Sequence, residues 1–129
     1  GDVYENEKDD STLNNNINDP VIKQRVALWT KQFFSNSVKL ASFVEEEFVG
    51  VGRFSRGVKQ RQKGIWVLQA TAMPSILIEL GFLSHRSEEE FLMSAEGQQT
   101  MAESISKAVK RYKELIEKSP VVQQPNNNR

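Results

Sequence analysis

Glu79 follows Ile76, Leu77 and Ile78 and precedes Leu80, which sets an ionisable group into an almost continuous apolar run. These neighbours imply burial, and a lone charged carboxylate is costly to bury. Such a group has to meet a cation, a metal or a set of donors, or else stay protonated. Two readings follow. At the carboxyl end of a strand in an open α/β sheet, Glu79 would lie where such sheets bind ligands, which points to a functional site. A structural ion pair would satisfy the same burial with no chemistry attached.

Cations are close at hand in the chain. Arg53, Arg56, Lys59, Arg61 and Lys63 fall within eleven residues that contain no acid, a cluster that either attracts a carboxylate-bearing ligand or forms a solvated loop. Histidine is scarce by comparison. His85 is the only one, and one imidazole builds neither a zinc site nor a base with its partner. It lies in a polar turn and reads as a surface residue. Ser87 and Glu90 have the spacing of a helix capping box, which explains them better than metal binding does. With no cysteine, disulfide frameworks and thiolate metal sites are excluded and the redox compartment stays open. Glycine-rich phosphate loops, zinc-finger spacings and nucleophile elbows are absent from the sequence.

The elements that must position these residues are those of one modest domain, since 129 residues do not bury two cores. The 17 basic and 17 acidic residues cancel, so nucleic acid and anionic membranes are not expected partners. Nor does any apolar run approach the ~20 residues of a membrane span. Residues 1–19 are acidic and Asn-rich and read as a loop or insertion. Asp19-Pro20 signals a helix start. Val26, Trp29, Phe33, Leu40, Val44 and Phe48 then give a long helix an apolar face, with Gly50 and Gly52 ending it. A basic loop follows. Ile65 to Gln69 and Ser75 to Leu80 read as two strands, the second covered on both faces. A short helix follows Ser87. A final helix is capped by Ser94, lined by Met101, Ile105, Val109, Tyr112 and Ile116, and stopped by Ser119-Pro120. Residues 119–129 form a low-complexity tail expected to be disordered.

Within this layout, Arg56-Gly57-Val58-Lys59-Gln60, then Ile65-Trp66-Val67-Leu68, then Met73-Pro74-Ser75-Ile76-Leu77-Ile78-Glu79-Leu80-Gly81-Phe82-Leu83-Ser84 closely resemble the closing signature of the zinc-dependent N-acetylmuramoyl-L-alanine amidases. A weaker likeness extends over residues 20–118, which would be the C-terminal part of the catalytic domain. The resemblance implies an α/β fold, a mixed, mostly parallel sheet flanked by helices, to which this chain would contribute two strands and covering helices. It implies a bacterial peptidoglycan hydrolase of the periplasm or extracellular space. That hydrolase would cut the amide between N-acetylmuramic acid and L-alanine of the stem peptide, with Glu79 catalytic. Arg56 and Lys59 would meet carboxylates of the muropeptide substrate.

The family's zinc ligands, two histidines and a glutamate, come from segments upstream of this signature, and His85 stands where the family usually has Asn. Zinc is therefore expected in a parent protein, with its ligands upstream of Gly1. This chain alone is expected to bind none tightly and to be inactive. An incomplete sheet would leave apolar faces and strand edges open, implying a missing N-terminal half or an oligomer. The competing reading is a non-catalytic module that holds cell-wall fragments or anionic peptides through the basic loop at 53–63.

Overall fold

The computed structural model describes residues 19–61 and 63–119. The acidic segment and the tail read from the sequence lie outside the described residues, apart from Asp19 and Ser119. Four helices make up the regular structure: α1 (Pro20–Gly50), α2 (Trp66–Gln69), α3 (Arg86–Met93) and α4 (Ala95–Lys118).

Helix α1 starts as its sequence requires. Asp19 is the N-cap, its Oδ1 accepting the Val21 N–H at 2.8 Å, and Pro20 fills a first-turn position that needs no donor. Its end is a Schellman turn. Gly52 takes φ +79, which lets its N–H reach the Val49 carbonyl at 3.0 Å while Arg53 N–H reaches Phe48 at 2.9 Å. Gly50 is still helical, so Gly52 alone does the terminating.

Helix α4 packs on both α1 and α3. Its buried face is made of small residues and one methionine: Gly97, Met101, Ser104 and Ala108. Small side chains let a neighbouring helix come close, and Ser104 satisfies its hydroxyl on the Thr100 carbonyl at 2.8 Å. This face differs from the expected stripe. Met101 is on it, but Val109 and Ile116 are exposed. Arg111 clasps the two long helices, donating to Glu46 and Glu47 of α1 with its guanidinium over the Phe43 ring. Hydrogen bonding to Glu46, then to Glu47, raises the Arg111 pKa above its ordinary value.

The junction between α3 and α4 is tight. Ser94 caps α4 by accepting the Gly97 N–H at 2.9 Å, and it donates to the Phe91 carbonyl at 2.7 Å. The Gly97 backbone lies so close that a Cβ there would sit 1.9 Å from the Phe91 oxygen. The capping box expected at Ser87 and Glu90 is not formed. The N-cap position is His85, whose side chain caps no backbone N–H of the helix. Its carbonyl receives the N–H groups of Glu88 and Glu89 instead, and Glu90 pairs with Arg86 at 3.0 Å. Helix α3 thus begins two residues early, which places Ser87 inside it and out of capping reach.

The expected α/β sheet, mixed, mostly parallel and flanked by helices, is corrected by the structure: the fold is helical, and no strand occurs among the described residues. A strand is stabilised by a ladder partner, and each expected strand lacks one here. Ile65 to Gln69 curls into α2, with Leu68 N–H bonded to the Ile65 carbonyl at 2.9 Å. The Leu68 carbonyl then accepts the hydroxyls of Thr71 and Ser75 at 2.8 and 3.0 Å, which closes the turn. Residues 74–82 form an irregular connection with no ladder.

Candidate functional site

The connection that carries Glu79 is placed by side chains, since it has no ladder to place it. At its start, Ser75 N–H donates to Ser37 Oγ of α1 at 2.9 Å, and Ser37 in turn donates to the Phe33 carbonyl at 2.8 Å. At its end, Phe82 N–H donates to Glu88 Oε2 of α3 at 2.6 Å. Glu79 lies between these two anchors.

The first half of the basic loop closes over this stretch. Ser55 donates to Glu45 Oε1 of α1 at 2.6 Å and accepts the Gly57 N–H at 3.0 Å, and Gly57 turns the chain at φ +79. This turn aims Arg56 at the connection. Its Nη2 donates to Glu79 Oε2 at 3.0 Å, and its guanidinium lies 4.4 Å from the centre of the Phe82 ring. Arg53 is held similarly, 4.3 Å over Phe91 and 3.9 Å from Glu88.

Burial of Glu79, implied by its apolar neighbours, is overturned: its side chain is 60% exposed. Leu77 and Leu80 are also exposed, while Pro74, Ser75, Ile76 and Ile78 are half-buried. Without a sheet there is no second layer to cover both faces. The Arg56 pair is a surface pair, and such pairs contribute ~0–1 kcal/mol because water competes for both partners. Glu79 Oε2 is engaged, and no hydrogen bond to Oε1 is made among the described residues. A carboxylate oriented on one oxygen and open on the other has the geometry of a proton acceptor.

The structure brings together only some of the residues that the sequence singles out. Arg56 meets Glu79, whereas Lys59 is exposed and forms no ion pair among the described residues. Arg61 and Lys63 are exposed as well. Among the described residues the basic cluster therefore divides into a docked half and a half without ion partners. His85 is exposed, its Nδ1 3.0 Å from Ser87 Oγ. Among the described residues no group of three His, Asp or Glu side chains could hold a metal ion, so these residues do not fit zinc.

Sequence reasoning missed Ser37, Phe82 and Glu88. Glu88 stands in a run of three glutamates with nothing in the pattern to separate it from the other two. A shallow apolar groove of ≈ 330 Å³ runs beside the site at Leu80, Leu92, Met101 and Ile105. Glu79 does not line it.

Comparison with known proteins addresses the resemblance directly. The family model described as N-acetylmuramoyl-L-alanine amidase matches residues 5–111. The chain is 38% identical over 77 residues to the N-acetylmuramoyl-L-alanine amidase AmiC of Neisseria meningitidis, covering 60% of this chain and 18% of that protein. It is 36% identical over 78 residues to the uncharacterized protein YqiI of Bacillus subtilis, covering 60% and 37%. It is 32% identical over 79 residues to the germination-specific N-acetylmuramoyl-L-alanine amidase of Bacillus subtilis, covering 61% and 33%. The matched part is thus well under half the length of each relative. No solved structure matches the chain. A match that takes in Arg56, Glu79, Phe82 and Glu88 together, and most of the chain around them, means that this chain belongs to the N-acetylmuramoyl-L-alanine amidase family.

Proposed function

We propose that the protein carrying this chain hydrolyses the amide between N-acetylmuramic acid and L-alanine in peptidoglycan, and that Glu79 is its catalytic acid-base group. The observation that supports this most is the orientation of Glu79, one oxygen held by Arg56 at 3.0 Å and the side chain open to solvent, inside the family match. Glu79 would accept a proton from the attacking water and return it to the amine of L-alanine as the amide bond breaks. Arg56 orients that carboxylate, so it is not a free receptor for the substrate's own carboxylates. Lys59 is left for that task.

Family members are zinc enzymes by the resemblance, but the described residues of this chain offer no fitting ligand group. The chain by itself is accordingly proposed to be inactive. The site of action is the cell envelope, periplasmic or extracellular. Among the described residues no helix is long and apolar enough to cross a membrane.

The test is hydrolysis of purified muropeptides by the complete translation product of the encoding gene. Glu79→Gln keeps size and polarity but cannot take the proton, so a loss of about a hundredfold or more in kcat is expected, with KM little changed. An undiminished kcat would overturn the reading.

A second reading draws on the later half of the loop. Lys59, Arg61 and Lys63 are exposed without acidic partners among the described residues, which suits a module that holds anionic cell-wall fragments. Under that reading, replacing Lys59 weakens binding of those fragments and Glu79→Gln changes nothing.

A further inference from the structure

Phe82 N–H is held by a charged acceptor at 2.6 Å, a short bond of the stronger, charge-assisted kind. That acceptor, Glu88, is itself confined. Its side chain is only 21% exposed, and its other oxygen faces Arg53 Nη2 at 3.9 Å. Arg53 is steadied there by its guanidinium, which rests on the Phe91 ring. The approach also depends on the residue before Phe82. A Cβ at Gly81 would lie 3.0 Å from Glu88 Oε2, 3.3 Å from Leu92 Cδ1 and 3.5 Å from Arg53 Nη2. The carboxylate occupies space that any other residue at 81 would contest.

A continuous set of contacts leads from this bond to Glu79. Glu88 fixes the Phe82 backbone, and the Phe82 ring supports the Arg56 guanidinium. Arg56 in turn holds Glu79 Oε2. Every link is a direct contact, and no ladder among the described residues provides another route.

We propose that Glu88 is a positioning residue for the hydrolysis, acting through Phe82 and Arg56 to set the direction of the Glu79 carboxylate. This rests on the reading of Glu79 as the acid-base group. Glu88 itself transfers no proton and touches no substrate. Its requirement is an oxygen acceptor at the end of a side chain of glutamate length. The acceptor need not be charged, so Gln meets the requirement. Asp keeps the charge but falls one methylene short.

The experiment has two arms. In the complete translation product acting on muropeptides, Glu88→Asp is expected to lower kcat about ten- to a hundredfold, the scale of a misplaced catalytic group, with KM within about twofold. Glu88→Gln is expected to stay within about threefold of the parent kcat, since a neutral carbonyl oxygen still accepts the N–H. In the 15N-labelled complete product, the Phe82 amide proton should move upfield and exchange faster in Glu88→Asp, and by much less in Glu88→Gln, where a neutral acceptor still holds it.

An unchanged kcat or an unmoved Phe82 amide in Glu88→Asp overturns the proposal, as does a Glu88→Gln variant as slow as Glu88→Asp. Glu79→Gln run in parallel separates the two readings. If it is fully active, the role of Glu79 fails and this inference fails with it. If it is inactive while Glu88→Asp is normal, only the inference about Glu88 fails. Should Glu88→Asp lose its helical circular dichroism, Phe82→Leu, which keeps the backbone bond but removes the ring under Arg56, is expected to show the same fall in kcat. A normal kcat in that variant overturns the proposal equally.

Discussion

Arg56 and Arg111 both bind carboxylates and both lie over an aromatic ring, but they serve different ends. Arg56 joins two irregular segments at the surface, so its removal should cost little stability. Arg56→Ala is expected to shift the urea midpoint by no more than the equivalent of ~1 kcal/mol, while kcat for muropeptides falls far more. Equal falls in stability and activity would mean that the pair is merely structural. Tyr112 makes a separate prediction. Burial raises its phenol pKa above the ordinary 10.0 because the charged form is poorly solvated there. Between the unfolded and folded values the native state keeps a proton that the unfolded chain has lost. Its contribution to stability is therefore complete below pH 10.0 and is lost as pH rises through the folded value. Tyr112→Phe should flatten that part of the alkaline decline, which denaturant titrations from pH 8 to 11 would check. At this scale the sequence was informative where a residue acts locally, as in the Asp19 and Ser94 caps. It was uninformative where the partner is distant. Nothing near Glu88 shows that it reaches back to Phe82, and nothing near Glu79 shows that Arg56 is 3.0 Å away.

Helices α1 and α4 follow from period and caps, because these signals are carried within a few residues, whereas α3 forms without the cap expected of it. Which face of α4 turns inward is different. Gly97, Ser104 and Ala108 bury because of what α1 and α3 present to them, and large apolar residues alone pointed to a neighbouring face. The expected strands failed for a related reason. Apolar, β-branched runs such as Ser75 to Leu80 specify a strand only when another strand is beside them. The close approach at Gly97 gives the sharpest prediction among the elements. Gly97→Ala would place a methyl 1.9 Å from the Phe91 oxygen, so α3 and α4 must separate, at a cost of about 1–3 kcal/mol despite the better helix propensity of Ala. The urea midpoint reports it, and a stabilised variant would contradict the packing described. Arg111→Met should lower the midpoint as well, and the deficit should narrow in 1 M NaCl, where surface ion pairs are screened. An identical deficit at both salt concentrations would assign the loss to the stacking of the guanidinium on the Phe43 ring.

Val44, Met101 and Ala108 are the only buried apolar residues among those described, while Trp29, Phe34, Phe54, Leu77 and Leu83 lie exposed. A core this small offsets little conformational entropy. The chain alone should unfold with low cooperativity and bind 8-anilinonaphthalene-1-sulfonate at neutral pH. A sharp two-state transition without dye binding would show that apolar surface is covered in solution by something other than this chain's own helices. The uneven support of α1 has a further consequence. Its residues from Val44 to Phe48 are held by Val44 burial and the Arg111 clasp, but from Lys23 to Thr30 every side chain is exposed. Backbone amides in that overhanging stretch should exchange with deuterium orders of magnitude faster than those near Val44. Apart from the exposed loop at Lys59, Arg61 and Lys63, trypsin should nick after Lys23 or Arg25 before any other helical site, trimming the rod to the length that its neighbours support.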